Sequence, residues 1–205
     1  MKFACSIFVF LLCLLPAAAP ADDAPVILVL GDSLSAAYNM EISEAWPSLL
    51  QDRLEEHGHT YRVFNSSITG ETTQGGVTRL PRLLREYQPA IVLIELGGND
   101  GLRGIPLEVS RANLAAMIDA SRAAGALVII AEMRIPPNYG MTYTERFNAM
   151  FHELAEQESV TLLPFLLQDV ALEPGMMQAD GIHPTAAAQP VILDAVWNVL
   201  QPMLQ

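Results

Sequence analysis

A three-layer α/β/α sandwich is the fold class this sequence predicts, and three observations point to it. Five short apolar runs recur along the chain, amphipathic helical stripes separate them, and the length left after a removable leader suits one domain. Continuously apolar strands are buried on both faces, as in parallel sheets. Parallel strands need crossovers, usually helical and almost always right-handed.

The leader comes first. Lys2 gives a positive start, residues 7–15 form an apolar run, and Ala19-Pro20-Ala21 supplies a small-residue cleavage site. The run is too short for a bilayer, which takes about 20 residues. Residues 1–21 therefore read as a signal peptide, and residues 22–205 as a single domain.

The expected strands are residues 26–30, 61–64, 90–96, 127–131 and 160–163, the third rich in Ile, Val and Leu. Between them run helical stripes: Trp46, Leu49, Leu50 and Leu54; Leu80, Leu83, Leu84 and Tyr87; Phe147, Met150, Phe151 and Leu154; and Leu193, Val196, Trp197 and Leu200. A further helix is expected over residues 107–124. Thr142 with Glu145 reads as a capping box, and Gly58 and Gly125 read as helix stops. Pro190 lies early enough in the last helix to kink it.

Composition narrows the chemistry. Both cysteines, Cys5 and Cys13, and the only lysine, Lys2, fall in the leader. The mature chain then has no disulfide, no thiolate nucleophile or thiolate metal site, no Schiff base and no Ser–Lys dyad. Loss of Lys2 takes the net charge from −12 to −13. Such a surface repels polyanions, so neither a nucleic-acid partner nor an anionic membrane face is expected. No membrane insertion is expected once the leader is cut. A general base must be a carboxylate or one of four histidines. His57 and His59 flank a helix stop and His152 lies off its helix's apolar stripe, which leaves His183.

Four blocks carry the chemistry, and three follow expected strands, at whose carboxyl ends sites form in α/β sheets. Gly31-Asp32-Ser33-Leu34-Ser35 supplies a serine where a helix would begin, with a backbone N–H free to face an oxyanion and a helix dipole to assist. It is not G-x-S-x-G, which argues against the nucleophile elbow of α/β-hydrolases. Ile68-Thr69-Gly70 supplies a glycine that lets backbone approach a substrate oxygen, and Gly97-Gly98-Asn99-Asp100 supplies an amide donor. In Asp180-Gly181-Ile182-His183 a carboxylate and an imidazole stand three residues apart, on one face if the segment is a helical turn. Nucleophile, base, orienting acid and oxyanion donors together describe acyl transfer.

These blocks resemble the GDSL/SGNH hydrolase superfamily. The longer strings Glu95-Leu96-Gly97-Gly98-Asn99-Asp100-Gly101-Leu102-Arg103-Gly104, Pro137-Asn138-Tyr139-Gly140 and Asp180-Gly181-Ile182-His183-Pro184 are most similar to its periplasmic acyl-CoA thioesterase, lysophospholipase and arylesterase members. The likeness runs from about residue 26 to the C-terminus. It implies a flavodoxin-like sheet of five parallel strands. It also implies nucleophile Ser33, base His183, orienting Asp180, and an oxyanion hole of the Ser33 N–H, the Gly70 N–H and the Asn99 amide. It implies neither metal nor cofactor. It further implies a mobile loop over residues 101–106 beside an acyl groove lined by Leu102, Ile105, Pro106, Ile135, Pro137 and Tyr139. Met176 and Met177 are candidates to shape the acyl pocket.

The expectation is thus a secreted, periplasmic serine esterase acting on small acyl esters or lysophospholipids. Lipid and aryl esters are favoured over anionic acyl-CoA thioesters. The alternatives are a carbohydrate O-acetyl esterase on the same fold, a metallophosphoesterase built on Asp32, Asn99, Asp100 and His183, or a non-catalytic carbohydrate-binding or surface protein.

Overall fold

The computed structural model describes residues 24–204. The expected signal peptide lies outside the described residues. The strands are β1 (Val26–Gly31), β2 (Arg62–Asn65), β3 (Ile91–Glu95), β4 (Leu127–Ala131) and β5 (Thr161–Leu163). The helices are α1 (Trp46–Glu56), α2 (Thr73–Tyr87), α3 (Gly98–Leu102), α4 (Leu107–Ala123), α5 (Met141–Glu158) and α6 (Gln189–Leu200). All strands pair in parallel, in the order β2-β1-β3-β4-β5.

The strands' two-residue period divides the core. Ile27, Val29, Ile91, Leu93 and Ile129 face one layer, where Trp46, Leu50 and Leu54 of α1 meet Ile192, Val196 and Leu200 of α6. Leu28, Leu30, Val92, Ile94, Val128 and Ile130 face the other, covered by α2, α4 and α5 through Leu80, Leu84, Leu114, Met117, Phe147 and Phe151. This is the expected sandwich.

The strand order reverses at β1. The chain leaves β1 for β2 on one side and returns to β3 on the other. A crevice opens beyond the carboxyl ends of β1 and β3, the usual ligand position in such sheets. The Ser33 block follows β1 and the Asn99 block follows β3.

Three local expectations are corrected. No helix begins at Ser33: residues 33–39 form consecutive turns, with Ala37 and Asn39 at positive φ, and α1 starts only at Trp46. Ser33 therefore has no helix dipole behind it. Thr142 caps nothing, because α5 starts one residue earlier, at Met141 after Gly140. Pro190 stands in the first turn of α6, where its missing N–H costs no helical bond, so it starts the helix rather than kinking it.

Gly31 is fixed by close approach. A Cβ there would lie 2.5 Å from Glu95 Oε2 and 2.8 Å from Ser67 Oγ. Gly31→Ala is expected to cost about 1–3 kcal/mol, as overpacking does. Urea unfolding checks this, and an unchanged midpoint would contradict it.

Candidate active site

The C-terminal segment reaches Ser33 through a stitched loop. Gln178 Nε2 donates to the carbonyls of Tyr38 (3.0 Å) and Pro184 (2.9 Å), and its backbone N–H donates to His183 O at 2.8 Å. Asn39 Nδ2 donates to Gln178 Oε1 at 3.3 Å. Met177 and Pro184 form an antiparallel bridge. The turns after β1 and the loop carrying His183 are thus one unit, although they are far apart in sequence.

Asp180 and His183 do face one another, but not across a helical turn. Gly181 has φ +68°, which takes the segment out of helical geometry. Asp180 Oδ1 instead accepts the N–H groups of Ile182 (2.9 Å) and His183 (3.0 Å), an Asx-type turn. Its Oδ2 lies 2.7 Å from His183 Nδ1, and His183 Nε2 lies 2.8 Å from Ser33 Oγ.

The charge state of Asp180 favours one imidazole tautomer. The N–H groups of His183 and Ile182, then the imidazole itself, hold its carboxyl down to about 2. An ionised carboxylate only accepts, so His183 Nδ1 carries the hydrogen and Nε2 offers its lone pair to the Ser33 hydroxyl. Tyr38 lies against the imidazole, with ring centroids 4.1 Å apart. The His183 side chain is 15% exposed.

Asn99 and Asp100 are neighbours with different tasks. Asn99 lines the cavity and donates through Nδ2 to Asp32 Oδ2 at 2.9 Å. An amide nitrogen has two hydrogens, so one remains for a ligand. Asp100 turns into the body. It is buried and accepts from Thr73 N at 2.9 Å, Thr73 Oγ1 and Ser110 Oγ, joining α2 to α4. The ligand set Asp32, Asn99, Asp100 and His183 is therefore not assembled. Among the described residues no group of three or more His, Cys, Asp or Glu is placed to hold a metal.

A cavity of about 420 Å³ opens at Ser33, Asn99 and His183. Of the groove residues expected, Leu102, Ile135 and Pro137 line it. Ile105, Pro106 and Tyr139 do not. Ile105 turns back, its N–H bonded to Asp100 O, and Pro106 caps the start of α4. Tyr139 braces the wall from outside, its hydroxyl donating to Leu102 O at 3.1 Å. Gly70 also stands outside the lining, its carbonyl accepting from Arg103 Nη2 at 2.9 Å. Met177 lines the cavity, whereas Met176 packs against the core. Met133, Phe165 and Leu167 complete an apolar wall with no sequence signal beyond hydrophobicity. The other histidines are elsewhere: His57 and His59 lie against Trp197, and His152 is 3.4 Å from Glu132.

Comparison with known proteins gives a consistent picture. Residues 29–190 match the model of the GDSL-like lipase/acylhydrolase family. The chain is 51% identical over 181 residues to the esterase TesA of Pseudomonas aeruginosa, covering 88% of this chain and 90% of that protein. It is 46% identical over 197 residues to thioesterase 1/protease 1/lysophospholipase L1 of Escherichia coli K12, covering 96% and 92%. A crystal structure of TesA superposes with a TM-score of 0.85 at 51% identity, covering 87% of this chain and 99% of that one.

Proposed function

The chain belongs to the GDSL-like lipase/acylhydrolase family, and from that premise we propose that it is a secreted serine esterase working through an acyl-enzyme on Ser33. The observation that carries this reading is the unbroken relay Asp180–His183–Ser33, with links of 2.7 and 2.8 Å, at the mouth of an apolar cavity.

As Ser33 Oγ attacks the ester carbonyl, its proton passes to His183 Nε2, and Asp180 stabilises the imidazolium. The carbonyl oxygen becomes an oxyanion, which takes the second Nδ2 hydrogen of Asn99 and the N–H groups of Ser33 and Gly70. Neither of those N–H groups donates to a protein acceptor among the described residues, which supports this role. His183 then protonates the leaving alcohol or thiol. Water repeats the sequence on the acyl-enzyme, and His183 is the base again.

The apolar wall of Leu102, Met133, Ile135, Phe165, Leu167 and Met177 suits an acyl chain or aryl group. With its strong negative charge, the protein acts on lysophospholipid and aryl esters in preference to anionic acyl-CoA. The N-terminal pattern of residues 1–21 supports export to the periplasm, with residues 22–205 as one catalytic domain.

The test is turnover of a p-nitrophenyl ester series beside lysophosphatidylcholine, with and without EDTA. Hydrolysis that withstands EDTA is expected. No ester turnover, or turnover lost to the chelator, would contradict the reading. Asn99→Ala is expected to lower kcat about 100- to 1000-fold with little change in KM, as loss of one oxyanion donor does. Unchanged kcat would remove Asn99 from the oxyanion hole.

A further inference from the structure

Two acids lie directly beneath the nucleophile turn, and the relay uses neither. Asp32 and Glu95 are both buried, at 3% and 0% exposure, and both follow from register, since β1 Gly31 pairs with β3 Glu95. Glu95 Oε2 accepts from the Asp32 N–H at 3.2 Å and from Ser35 Oγ at 2.7 Å. Asp32 accepts the Leu34 N–H on Oδ1 at 3.1 Å and Asn99 Nδ2 on Oδ2 at 2.9 Å. Glu95 Oε1 is buried and receives no donor.

Two neighbouring carboxyl groups as deeply buried as these strongly disfavour being ionised together. One proton between them removes the clash and supplies the missing hydrogen. Glu95 is the better place for it. Its Oε1 needs no donor if it carries the hydrogen, whereas both oxygens of Asp32 already accept from N–H groups. The titratable groups acting on the pair are His183, on Asp32, and the two carboxyls on each other. Burial first, and then the Asp32 charge, push the Glu95 carboxyl well above its usual range. Burial also raises Asp32, to about 6, against the pull of the Leu34 N–H, Glu95 and Asn99.

We propose that Asp32 and Glu95 hold a single proton at neutral pH, on Glu95, and act as a positioning pair that fixes the Asn99 amide and the turn carrying Ser33. Neither touches the reacting atoms. Asp32, kept ionised, aims one Asn99 hydrogen at itself and so leaves the other toward the oxyanion. Glu95 holds Asp32 and Ser35, the residues on either side of the Ser33–Leu34 step. The inference rests on the proposed roles of Ser33 and Asn99 for its catalytic consequence, but not for the shared proton.

The sign of the pH effect follows. A carboxyl whose folded value lies above its unfolded one gives stability that is whole below about 4.5 and is lost as pH rises toward the folded value. Glu95→Gln keeps the shape and a donor but has no proton to keep. Its Tm relative to wild type is therefore expected to climb from pH 5 to pH 8, by roughly 2–4 °C per pH unit. The infrared carbonyl band of a buried neutral carboxylic acid, present in wild type at pH 7.5, should vanish in the same variant. Glu95→Ala should lower kcat on a p-nitrophenyl ester about tenfold or more with KM within twofold, and Glu95→Gln should restore most of it. Parallel Tm–pH curves with no lost band would overturn the shared proton. Wild-type kcat in Glu95→Ala would overturn the positioning role. If Glu95→Ala does not fold, Glu95→Gln still decides through Tm and infrared. Both readouts are independent of whether Ser33 is the nucleophile, so they can fail separately from the function proposed above.

Discussion

Ser33→Ala is expected to lower kcat/KM for p-nitrophenyl esters by at least about a thousandfold while Tm and circular dichroism stay near wild type. The expected size follows from what is lost and what remains. The substitution removes one oxygen that is bonded to His183 Nε2 at 2.8 Å and lines an open cavity, so no buried polar group is stranded. The proposed oxyanion donors and the apolar wall survive and would account for any residual rate. Without Oγ, however, the proposed acyl-enzyme could not form, and water would have to attack unassisted by a covalent intermediate. Steady-state kinetics beside thermal unfolding separates this from misfolding. Near-wild-type turnover in a folded variant would mean that the cavity's chemistry runs through another group.

His183→Ala is expected to match that loss, and the double variant Ser33→Ala/His183→Ala to be no worse than either alone. Nucleophile and base act as a unit, so their effects do not add. In the proposed mechanism His183 is the proton acceptor for Ser33: its Nδ1 lies 2.7 Å from Asp180 and its Nε2 2.8 Å from the hydroxyl. The other three described histidines lie outside the cavity lining and cannot substitute. Asp180 stays ionised down to about pH 2, so activity lost on mild acidification arises elsewhere than in its protonation. The stability that Asp180 gives is present above its ordinary value of 3.8 and fades only below it. Additive losses in the double variant would break the relay into independent parts.

Much of this was legible in the sequence, and the misses have physical reasons. Buried parallel strands must be apolar throughout, so runs such as Ile91–Glu95 and Leu127–Ala131 announce themselves and fix the sandwich. The Ser33 and Asn99 blocks were visible because each follows the end of such a run, and the His183 block because it sets a carboxylate and an imidazole three residues apart. Local geometry was less legible. Gly181 and Pro184 bracket Ile182 and His183, and both favour turn over helix, a signal that outweighs the three-residue spacing used to place Asp180 beside His183. Contacts between distant segments left no local mark. Gln178 joins the two loops of the relay, and Tyr38 covers the imidazole, yet neither stands in a recognisable pattern. Ile105, Pro106 and Tyr139 were expected in the groove from the family resemblance alone; here a backbone bond, a helix start and a hydroxyl bond to Leu102 O engage them outside the cavity lining. Glu95 did leave a trace: one acid ending an apolar strand of complete burial is a feature that chance burial does not explain.

The account turns on a side-chain oxygen after β1 being the atom that bonds covalently to substrate. Treating the folded protein with an alkyl fluorophosphonate and locating the adduct by peptide mass spectrometry measures that directly. One phosphonyl group on Ser33, with hydrolysis falling in step with its formation, is the expected result. Full inactivation with the label on any other residue, or an unlabelled Ser33 in an inactivated protein, would contradict it.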